Sequence, residues 1–409
     1  MRLNAENPIS AVASAEPLRE QPHALANHIP ALDGIRGLAI LLVTIYRFNL
    51  RPTDYGLVGR VLFQSLSLGR LGVDLFFVLS GFLITGILID AKGTAHYFRN
   101  FYIRRALRIY PLYYGVLFVA FVAIPVLAGD RHRLFADAAA DQASLWLYLA
   151  NFLIGFRDEW CLGSFNHFWS LCVEEHFYLL WPLVIYFCTR RQAIAACWAT
   201  IALALLGRVA WLLLSGPTTA IDAFTCFQCD GLALGSLLAI LAREPRGIRS
   251  WAPWARAGMI VAGLALAYVA TLRDRQLLGL AITLRCAFFG GLLVLAVSSQ
   301  SSSRWGRLWG SRTLRFFGKY SYAMYVFQLP LVEILAPVLD PDALCARVGS
   351  ALLGRLIYIA AMFAVTTAVS VLSWHLYEKH FLALKSRFQS TGQPALSTAP
   401  ATAALAAAD

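Results

Sequence analysis

Apolar stretches of about twenty residues recur along most of this 409-residue chain, from Ile35 to about Phe381. A stretch of that length can cross the hydrocarbon core of a bilayer as an α-helix. Inside lipid, only helices and closed barrels satisfy every backbone hydrogen bond. Charged residues make up 14% of the chain, whereas a soluble domain has about a quarter. The sequence therefore predicts an all-α, polytopic membrane protein with no separate soluble domain.

Ten apolar segments have the length of transmembrane helices. The predicted spans cover about 34–50, 71–90, 110–128, 168–188, 192–215, 225–242, 254–271, 277–298, 319–338 and 351–377. Residues 143–156 form a further apolar segment that is short for a span, and we expect it to be re-entrant or interfacial. The expected architecture is thus a membrane helical bundle of about ten transmembrane helices.

Arginine and lysine residues in the short loops predict the topology, because basic loops face the cytoplasm. If residues 143–156 do not cross, all the basic loops lie on one side, namely 99–108, 190–191, 243–256, 304–319 and 379–387. Both termini are then cytoplasmic, and the region between Asp130 and Asn166 is the largest external segment. The net charge of +12 reflects these scattered loops, so we expect membrane lipids and no nucleic acid as partners.

The chain divides into three predicted regions. Residues 1–28 contain no apolar core of the signal-peptide type and are predicted to be a disordered cytoplasmic tail. Residues 29–388 form one membrane domain. Residues 389–409 are rich in Ala, Ser, Thr and Pro and are predicted to be a disordered low-complexity tail.

Two adjacent carboxylates, Glu174 and Glu175, lie within the predicted span 168–188. A carboxylate at membrane depth is costly unless it is paired or faces water, so the pair indicates a functional site. His167, Glu174 and Tyr178 are spaced seven and four residues apart, which predicts one shared helix face, whereas His176 points elsewhere. The alternative is a structural polar cluster that joins helices.

Three further charges fall in the first two spans. Arg36 lies at the predicted inner end of the first span, and Arg47 follows eleven residues later, about 16 Å along the helix axis. Asp74 lies near the outer end of the second span, where it could pair with Arg47. Membrane-interface anchoring explains these charges equally well.

A basic segment follows the second span. Arg105 and Arg108 lie one helical turn apart, and Arg104 precedes them. Guanidinium groups bind phosphate oxygens in bidentate fashion, so the three arginines could clamp the phosphates of a coenzyme A donor. Binding to anionic lipid at the membrane surface is the alternative, and spacing alone favours it.

Taken together, these motifs resemble the acyltransferase-3 family of bacterial membrane enzymes, which O-acylate surface polysaccharides, Nod factors and antibiotics. The resemblance runs from about residue 29 to 385 and rests on six segments in order: LDGIRGLAI, GVDLFFVLSGFLIT, RRALRIYP, HFWSLCVEEHFYLLWPL, GKYSYAMYVFQLPL and SWHLYEKHF. It implies an enzyme of the bacterial inner membrane. Such an enzyme moves an acyl group, with acetyl expected, from cytoplasmic acyl-CoA to a hydroxyl of a cell-surface or lipid-linked saccharide. Acyl-CoA is then a donor substrate, and we expect no tightly bound cofactor and no metal.

The chain departs from the usual family pattern at three positions. The family usually has a histidine eleven residues after the arginine of its first span, and here Arg36 is followed by Arg47. Gln328 likewise replaces a usual histidine, and His176 replaces the glutamine of VEEQFY. Arginine stays protonated and glutamine is not a base, so neither can take a proton from a sugar hydroxyl as histidine does.

The resemblance implies that Arg104, Arg105 and Arg108 hold the phosphates of the donor. Glu174, Glu175 or His167 then has to supply the base, and Arg47 is expected to stabilise negative charge on the acyl oxygen. Arg36 and Asp74 complete the predicted catalytic set. Because the usual histidine is absent, a catalytically degenerate member that binds or assists is the alternative function.

Overall fold

The computed structural model describes residues 29–49, 56–128, 134–272 and 274–388. Within these ranges the chain is helical and has no β-strand. Ten helices have 17 to 24 residues: α1 (Pro30–Phe48), α2 (Gly72–Ala91), α3 (Tyr97–Phe118), α4 (Trp169–Phe187), α5 (Arg190–Leu213), α6 (Thr225–Leu241), α7 (Ala252–Leu272), α8 (Leu278–Ser298), α9 (Arg312–Leu335) and α10 (Ala351–Ser373).

The predicted helical membrane bundle is confirmed. In the described ranges, 7 helical segments are long and apolar enough to cross a membrane. The count of about ten spans and the cytoplasmic position of the termini stay predictions. The two predicted tails, residues 1–28 and 389–409, lie outside the described residues.

Shorter elements connect the long helices. The short α-helices are Gly56–Ser67, Ile124–Ala128, Ala136–Ala139, Gln142–Trp146, Ala150–Arg157, Thr218–Ala223, Arg304–Trp309, Pro341–Val348 and Lys379–Ala383. Turns of 3-10 helix cover Leu68–Leu71, Gly163–Phe168, Ile248–Trp251, Arg275–Leu277 and Leu384–Phe388. Two π-helical turns, Val119–Ala123 and Trp374–Glu378, extend α3 and α10.

The apolar segment 143–156 does not form a crossing helix. It is divided between Gln142–Trp146 and Ala150–Arg157, and Tyr148 between them has a left-handed backbone with φ of 56°. The Tyr113 hydroxyl donates to the Leu145 carbonyl at 2.7 Å, which fixes this segment against α3. A helix of five or eight residues is far shorter than a bilayer core, as the expectation of a re-entrant or interfacial segment requires.

One predicted boundary is wrong. The sequence predicts the third span over about 110–128, after a basic loop, but α3 begins at Tyr97 and contains the whole basic segment. Arginine is a good helix former, and Pro111 does not end this helix. The three arginines are therefore presented by a continuous helix rather than by a loop.

Glycines allow α2 and α6 to pack closely along each other. A Cβ atom at Gly81 would lie 1.9 Å from the Leu232 carbonyl oxygen, and one at Gly235 would lie 1.9 Å from that of Val78. Small residues let helix backbones approach in a membrane, where van der Waals packing rather than apolar burial holds helices together. This close contact fixes α2 as one wall of the site described below.

The basic segments meet at one end of the bundle, which we call the basic end. There, Arg243 of the loop after α6 pairs with Asp90 of α2 at 2.6 Å. Arg190 at the start of α5 pairs with Glu244. At the opposite end, the Glu333 carboxylate of α9 accepts hydrogen bonds from the Phe135 backbone N–H and the Ser164 hydroxyl. That contact ties the segment before α4 to α9.

Candidate active site

A cavity of about 880 Å³ lies between α2, α3, α4 and α9. Its charged lining residues are Arg36, Asp90, Arg104, Arg105, Arg108, Glu174, Glu175 and Lys385. Six of the nine residues predicted for the site are among them: Arg36, Arg104, Arg105, Arg108, Glu174 and Glu175. The remaining three, Arg47, His167 and Asp74, do not line it.

Basic side chains are concentrated on the α3 wall. Arg104, Arg105 and Arg108 line the interior of the bundle rather than its outer surface. The Arg105 guanidinium carbon lies 4.0 Å from the centroid of the Tyr178 ring, and its Nε is buried without a hydrogen-bond partner among the described residues. Arg36 of α1 adds a fourth guanidinium, which pairs with Asp33 at 2.9 Å. This wall can bind an anion.

The two adjacent carboxylates of α4 differ in their surroundings. Glu174 lies beside the hydroxyls of Ser80 and Tyr178, which hydrogen-bond each other. Glu175 lies beside the Tyr110 hydroxyl, and its Oε1 is buried with no partner in the described part of the chain. Glu175 therefore has an unused acceptor atom in the cavity wall, and a proton acceptor needs such an atom.

The local fold explains which residues of this motif share a face. Glu174 and Tyr178 both line the cavity, as their spacing of four residues predicts. His167 does not join them, because it lies in the 3-10 turn Gly163–Phe168 and α4 begins only at Trp169. His176 points away as predicted, and its Nδ1 lies 2.7 Å from the Thr225 hydroxyl.

His167 lies behind a wall formed by Ser170 and Tyr325. The Tyr325 hydroxyl lines the cavity, donates to the His167 carbonyl oxygen at 2.9 Å and lies 2.5 Å from Ser170 Oγ. His167 Nε2 lies 2.9 Å from the Tyr325 carbonyl oxygen, so Nε2 carries the proton and donates. Its Nδ1 is then a buried acceptor with no partner among the described residues.

Arg47 and Gln328 are the two positions where this chain lacks a family histidine, and both lie close to Tyr325. Arg47 lies beside the Tyr325 hydroxyl, close enough for its charge to act on His167. Gln328 follows Tyr325 by three residues on α9 and is fully buried. Neither atom of its side-chain amide has a partner within the described ranges. Arg47, His167 and Gln328 are called the second polar group below.

The predicted pairing of Asp74 with Arg47 is wrong. Asp74 lies in the first turn of α2 and binds Arg285 of α8, whose Nε is 2.9 Å from Asp74 Oδ2. The α2 helix packs against α8 as well as α1, and Asp74 is on the α8 side. Arg47 faces α9 instead, beside Tyr325.

Sequence reasoning missed three features of this region. Lys385 lines the cavity from the turn Leu384–Phe388, and nothing distinguishes it in the sequence from other basic residues near the C-terminus. The second feature is Arg285, the partner of Asp74, and the third is the buried pair of Arg208 and Asp230. These residues place charge inside predicted spans. Charge at membrane depth, the signal used for Glu174, would have found them.

Arg208 of α5 and Asp230 of α6 are 2.7 Å apart, with side-chain exposures of 0% and 1%. Arg208 also donates to the Thr283 hydroxyl at 2.6 Å and to the carbonyl oxygens of Gly279 and Phe227. This network joins α5, α6 and α8 away from the cavity. Among the described residues, no cluster of three His, Cys, Asp or Glu side chains could hold a metal ion.

Comparison with protein families matches residues 29–375 to the family described as "Acyltransferase domain". YrhL of Bacillus subtilis, named as a candidate peptidoglycan O-acetyltransferase, is 27% identical over 388 residues, which are 86% of this chain and 54% of YrhL. The O-acetyltransferase OatA of Staphylococcus aureus is 26% identical over 339 residues, which are 75% of this chain and 51% of that protein. The peptidoglycan O-acetyltransferase OatA of Listeria monocytogenes is 27% identical over 337 residues, with 76% and 51% covered.

The chain therefore spans about half the length of the curated relatives that it matches. No solved structure matches it significantly. The family match covers most of the chain and contains every residue of the predicted site, so this multi-pass membrane protein belongs to the acyltransferase-3 family.

Proposed function

We propose that this chain is an O-acyltransferase of the bacterial inner membrane. It transfers an acyl group, acetyl in the first instance, from cytoplasmic acyl-CoA to a hydroxyl of a cell-surface or lipid-linked saccharide. One observation carries this proposal: a single cavity joins the basic side chains of α3 to the two carboxylates of α4. The relatives named as peptidoglycan O-acetyltransferases support acetyl as the group and a glycan as the acceptor.

The donor enters the cavity from the basic end. Its phosphates bind Arg104, Arg105 and Arg108, whose planar guanidinium groups suit phosphate oxygens. The cavity volume of about 880 Å³ is within the range of small-molecule sites, about 300–1,000 Å³. The thioester is then carried toward α4, between the basic wall and Tyr325. Because positive loops face the cytoplasm, the basic end is the cytoplasmic end.

The transfer needs a base, and Glu175 is the residue best placed to supply it. Its free Oε1 takes the proton of the acceptor hydroxyl while the hydroxyl oxygen attacks the thioester carbonyl carbon. A tetrahedral intermediate forms, the carbon–sulfur bond then breaks, and CoA leaves as a thiolate that takes up a proton. Glu174 has the Ser80 and Tyr178 hydroxyls beside it, so its role is to hold the Tyr178 side chain in position in the cavity.

Negative charge develops on the carbonyl oxygen in the intermediate. Arg47 lies beside the Tyr325 hydroxyl and would act on the same charge through it. His167 remains the alternative base, because its Nδ1 is also unpartnered, although Tyr325 and Ser170 separate it from the cavity.

The test is acetyl transfer from labelled acetyl-CoA to a glycan acceptor by the purified chain in vesicles, with Glu175→Gln, His167→Gln and a control, Glu159→Gln. Glu159 is an exposed carboxylate outside the cavity, so the control makes the same chemical change elsewhere. We expect Glu175→Gln to lower kcat about 100-fold or more, the usual contribution of a general base, with little change in KM for acetyl-CoA. Full activity in Glu175→Gln together with loss in His167→Gln would move the base to the second polar group.

The degenerate alternative predicts a different result in cells. An accessory protein would bind a donor or glycolipid without transferring an acyl group. Masses of surface glycans and glycolipids from cells with and without the gene, before and after mild alkali, separate the two. A base-labile acyl mass restored by the intact gene but not by Glu174→Ala/Glu175→Ala supports the enzyme. No difference in any glycan while the protein is in the membrane overturns the proposal.

A further inference from the structure

Lys385 reaches the cavity from the turn Leu384–Phe388, which lies just beyond the last motif, SWHLYEKHF. The π-helical turn Trp374–Glu378 leads from α10 into the short helix Lys379–Ala383 and the turn Leu384–Phe388. The Tyr377 hydroxyl donates to the Pro111 carbonyl oxygen at 3.1 Å, and both short elements pack on α3. The segment is thus held across the basic end of the cavity, and Lys385 lines the cavity there.

The ammonium group of Lys385 faces cations only. Its electrostatic neighbours are Arg108, Arg105 and Arg104, and none of these four side chains forms an ion pair within the described residues. Carboxylates do lie near the arginines, because Glu174 and Glu175 act on Arg105, and Glu378 acts on Arg108. Lys385 has only the arginines as charged neighbours, so its positive charge is the one that an anionic group of a ligand would balance.

The positive charge at the cavity mouth limits which ligands fit the site. A diphosphate ester carries two negative charges, and once the arginines bind it the charge of Lys385 is still unbalanced. An additional phosphomonoester contributes about −1.5 to −2 at neutral pH and brings the total to about −4. The three arginines lie on one helix, where their forked groups can take a diphosphate together, whereas Lys385 comes from another element as a separate point charge.

We propose that Lys385 is a donor-specificity residue. Its ammonium group binds the phosphomonoester that a coenzyme A donor carries in addition to its diphosphate, and the chain thereby discriminates against donors without that phosphate. This inference rests on the proposed function, because it takes the cavity to be the acyl-CoA site. Lys385 contacts neither the thioester nor the acceptor hydroxyl, so it sets the affinity for the donor and not the rate of the chemical step.

The test compares two probes, CoA and 3′-dephospho-CoA, by calorimetric titration of the full chain purified in detergent. The variants are Lys385→Gln, Lys385→Arg and a matched control, Arg387→Gln. Arg387 lies in the same short turn and is exposed, and it does not line the cavity. The control therefore removes one positive charge from the same turn, two residues further along the chain.

We expect the unsubstituted chain to bind CoA about tenfold more tightly than dephospho-CoA, the worth of about 1.4 kcal/mol for one charge-assisted contact. Lys385→Gln should lose this preference, because it weakens the binding of CoA and not that of dephospho-CoA. Lys385→Arg and Arg387→Gln should keep it. The inference is overturned if Lys385→Gln weakens the binding of both probes equally, or if the unsubstituted chain has no preference. Either result still agrees with the proposal that the cavity binds the donor. Binding of neither probe by a folded, unsubstituted chain overturns the donor assignment itself.

Discussion

Two sets of charged side chains lie inside this bundle, and they differ in how completely they are satisfied. Arg208, between α5, α6 and α8, donates to one carboxylate, one hydroxyl and two carbonyl oxygens, and neither it nor Asp230 is exposed. In the cavity, Arg105 Nε and Glu175 Oε1 have no partner among the described residues, although both atoms are buried. The hydrogen bonds of the Arg208 network are all made within the protein, whereas the cavity has a buried donor and a buried acceptor that are unused among the described residues.

The difference separates structural from functional charge. An unsatisfied buried polar group is costly, so a set that serves only to join helices is expected to be complete, as that around Arg208 is. A set with unused donors and acceptors beside a cavity is complete only when a ligand is bound. The sequence left both possibilities open for Glu174 and Glu175. The structure places the complete network at Arg208 and the incomplete one at the cavity, which favours function for the two carboxylates.

The largest expected effect is on stability, at Asp230. Asp230→Ala leaves Arg208 as an uncompensated buried charge, and breaking a fully buried pair costs about 3–5 kcal/mol. We expect a large drop in the melting temperature of the detergent-solubilised chain, or loss of monodisperse protein. The double variant Arg208→Leu/Asp230→Leu removes both charges and should recover much of the loss. An unchanged melting temperature in Asp230→Ala would show that the network is not structural.

Glu175 is expected to show the reverse pattern. Glu175→Gln removes an incompletely satisfied buried charge, so the melting temperature should stay the same or rise, while the rate of acetyl transfer falls about 100-fold. Thermal unfolding and initial rates are measured on the same preparation. A marked fall in melting temperature would contradict the comparison, because it would place Glu175 with the structural charges.

The Asp74–Arg285 pair lies between these extremes. Its side chains are 8% and 17% exposed, so Asp74→Asn is expected to cost about 1–2 kcal/mol, less than the fully buried pair. The control is Asp342→Asn, because Asp342 is 82% exposed in its pair with Arg355 and surface pairs contribute only about 0–1 kcal/mol. The loss of stability in each variant is measured as a shift in melting temperature. A larger loss at Asp342 than at Asp74 would contradict the ranking by burial.

The sequence predicts most of this architecture because apolar length determines where helices form in lipid. Most long helices of the described ranges overlap a predicted apolar segment, although α3 begins at Tyr97 and not at about 110. Arg104, Arg105 and Arg108 line the cavity with Glu174 and Glu175. Helical spacing works only within one helix, so it failed for His167, which precedes α4. It also cannot tell which neighbouring helix a side chain faces. The partner of Asp74 and the position of Lys385 depend on how the helices pack, and local pattern does not record that.

The smallest expected effect is at Arg47, where the family usually has histidine. If the base lies in the cavity, Arg47→His removes a charge that reaches the reaction only through Tyr325, and an imidazole N–H can still donate to that hydroxyl. We expect the rate to change by no more than about threefold, or roughly 0.7 kcal/mol, between pH 6 and 8. A rise of tenfold or more, with a new pH dependence near the pKa of histidine, would place the base in the second polar group. The chain would then be a weakened enzyme that the single histidine restores, and Glu175 would be a binding residue.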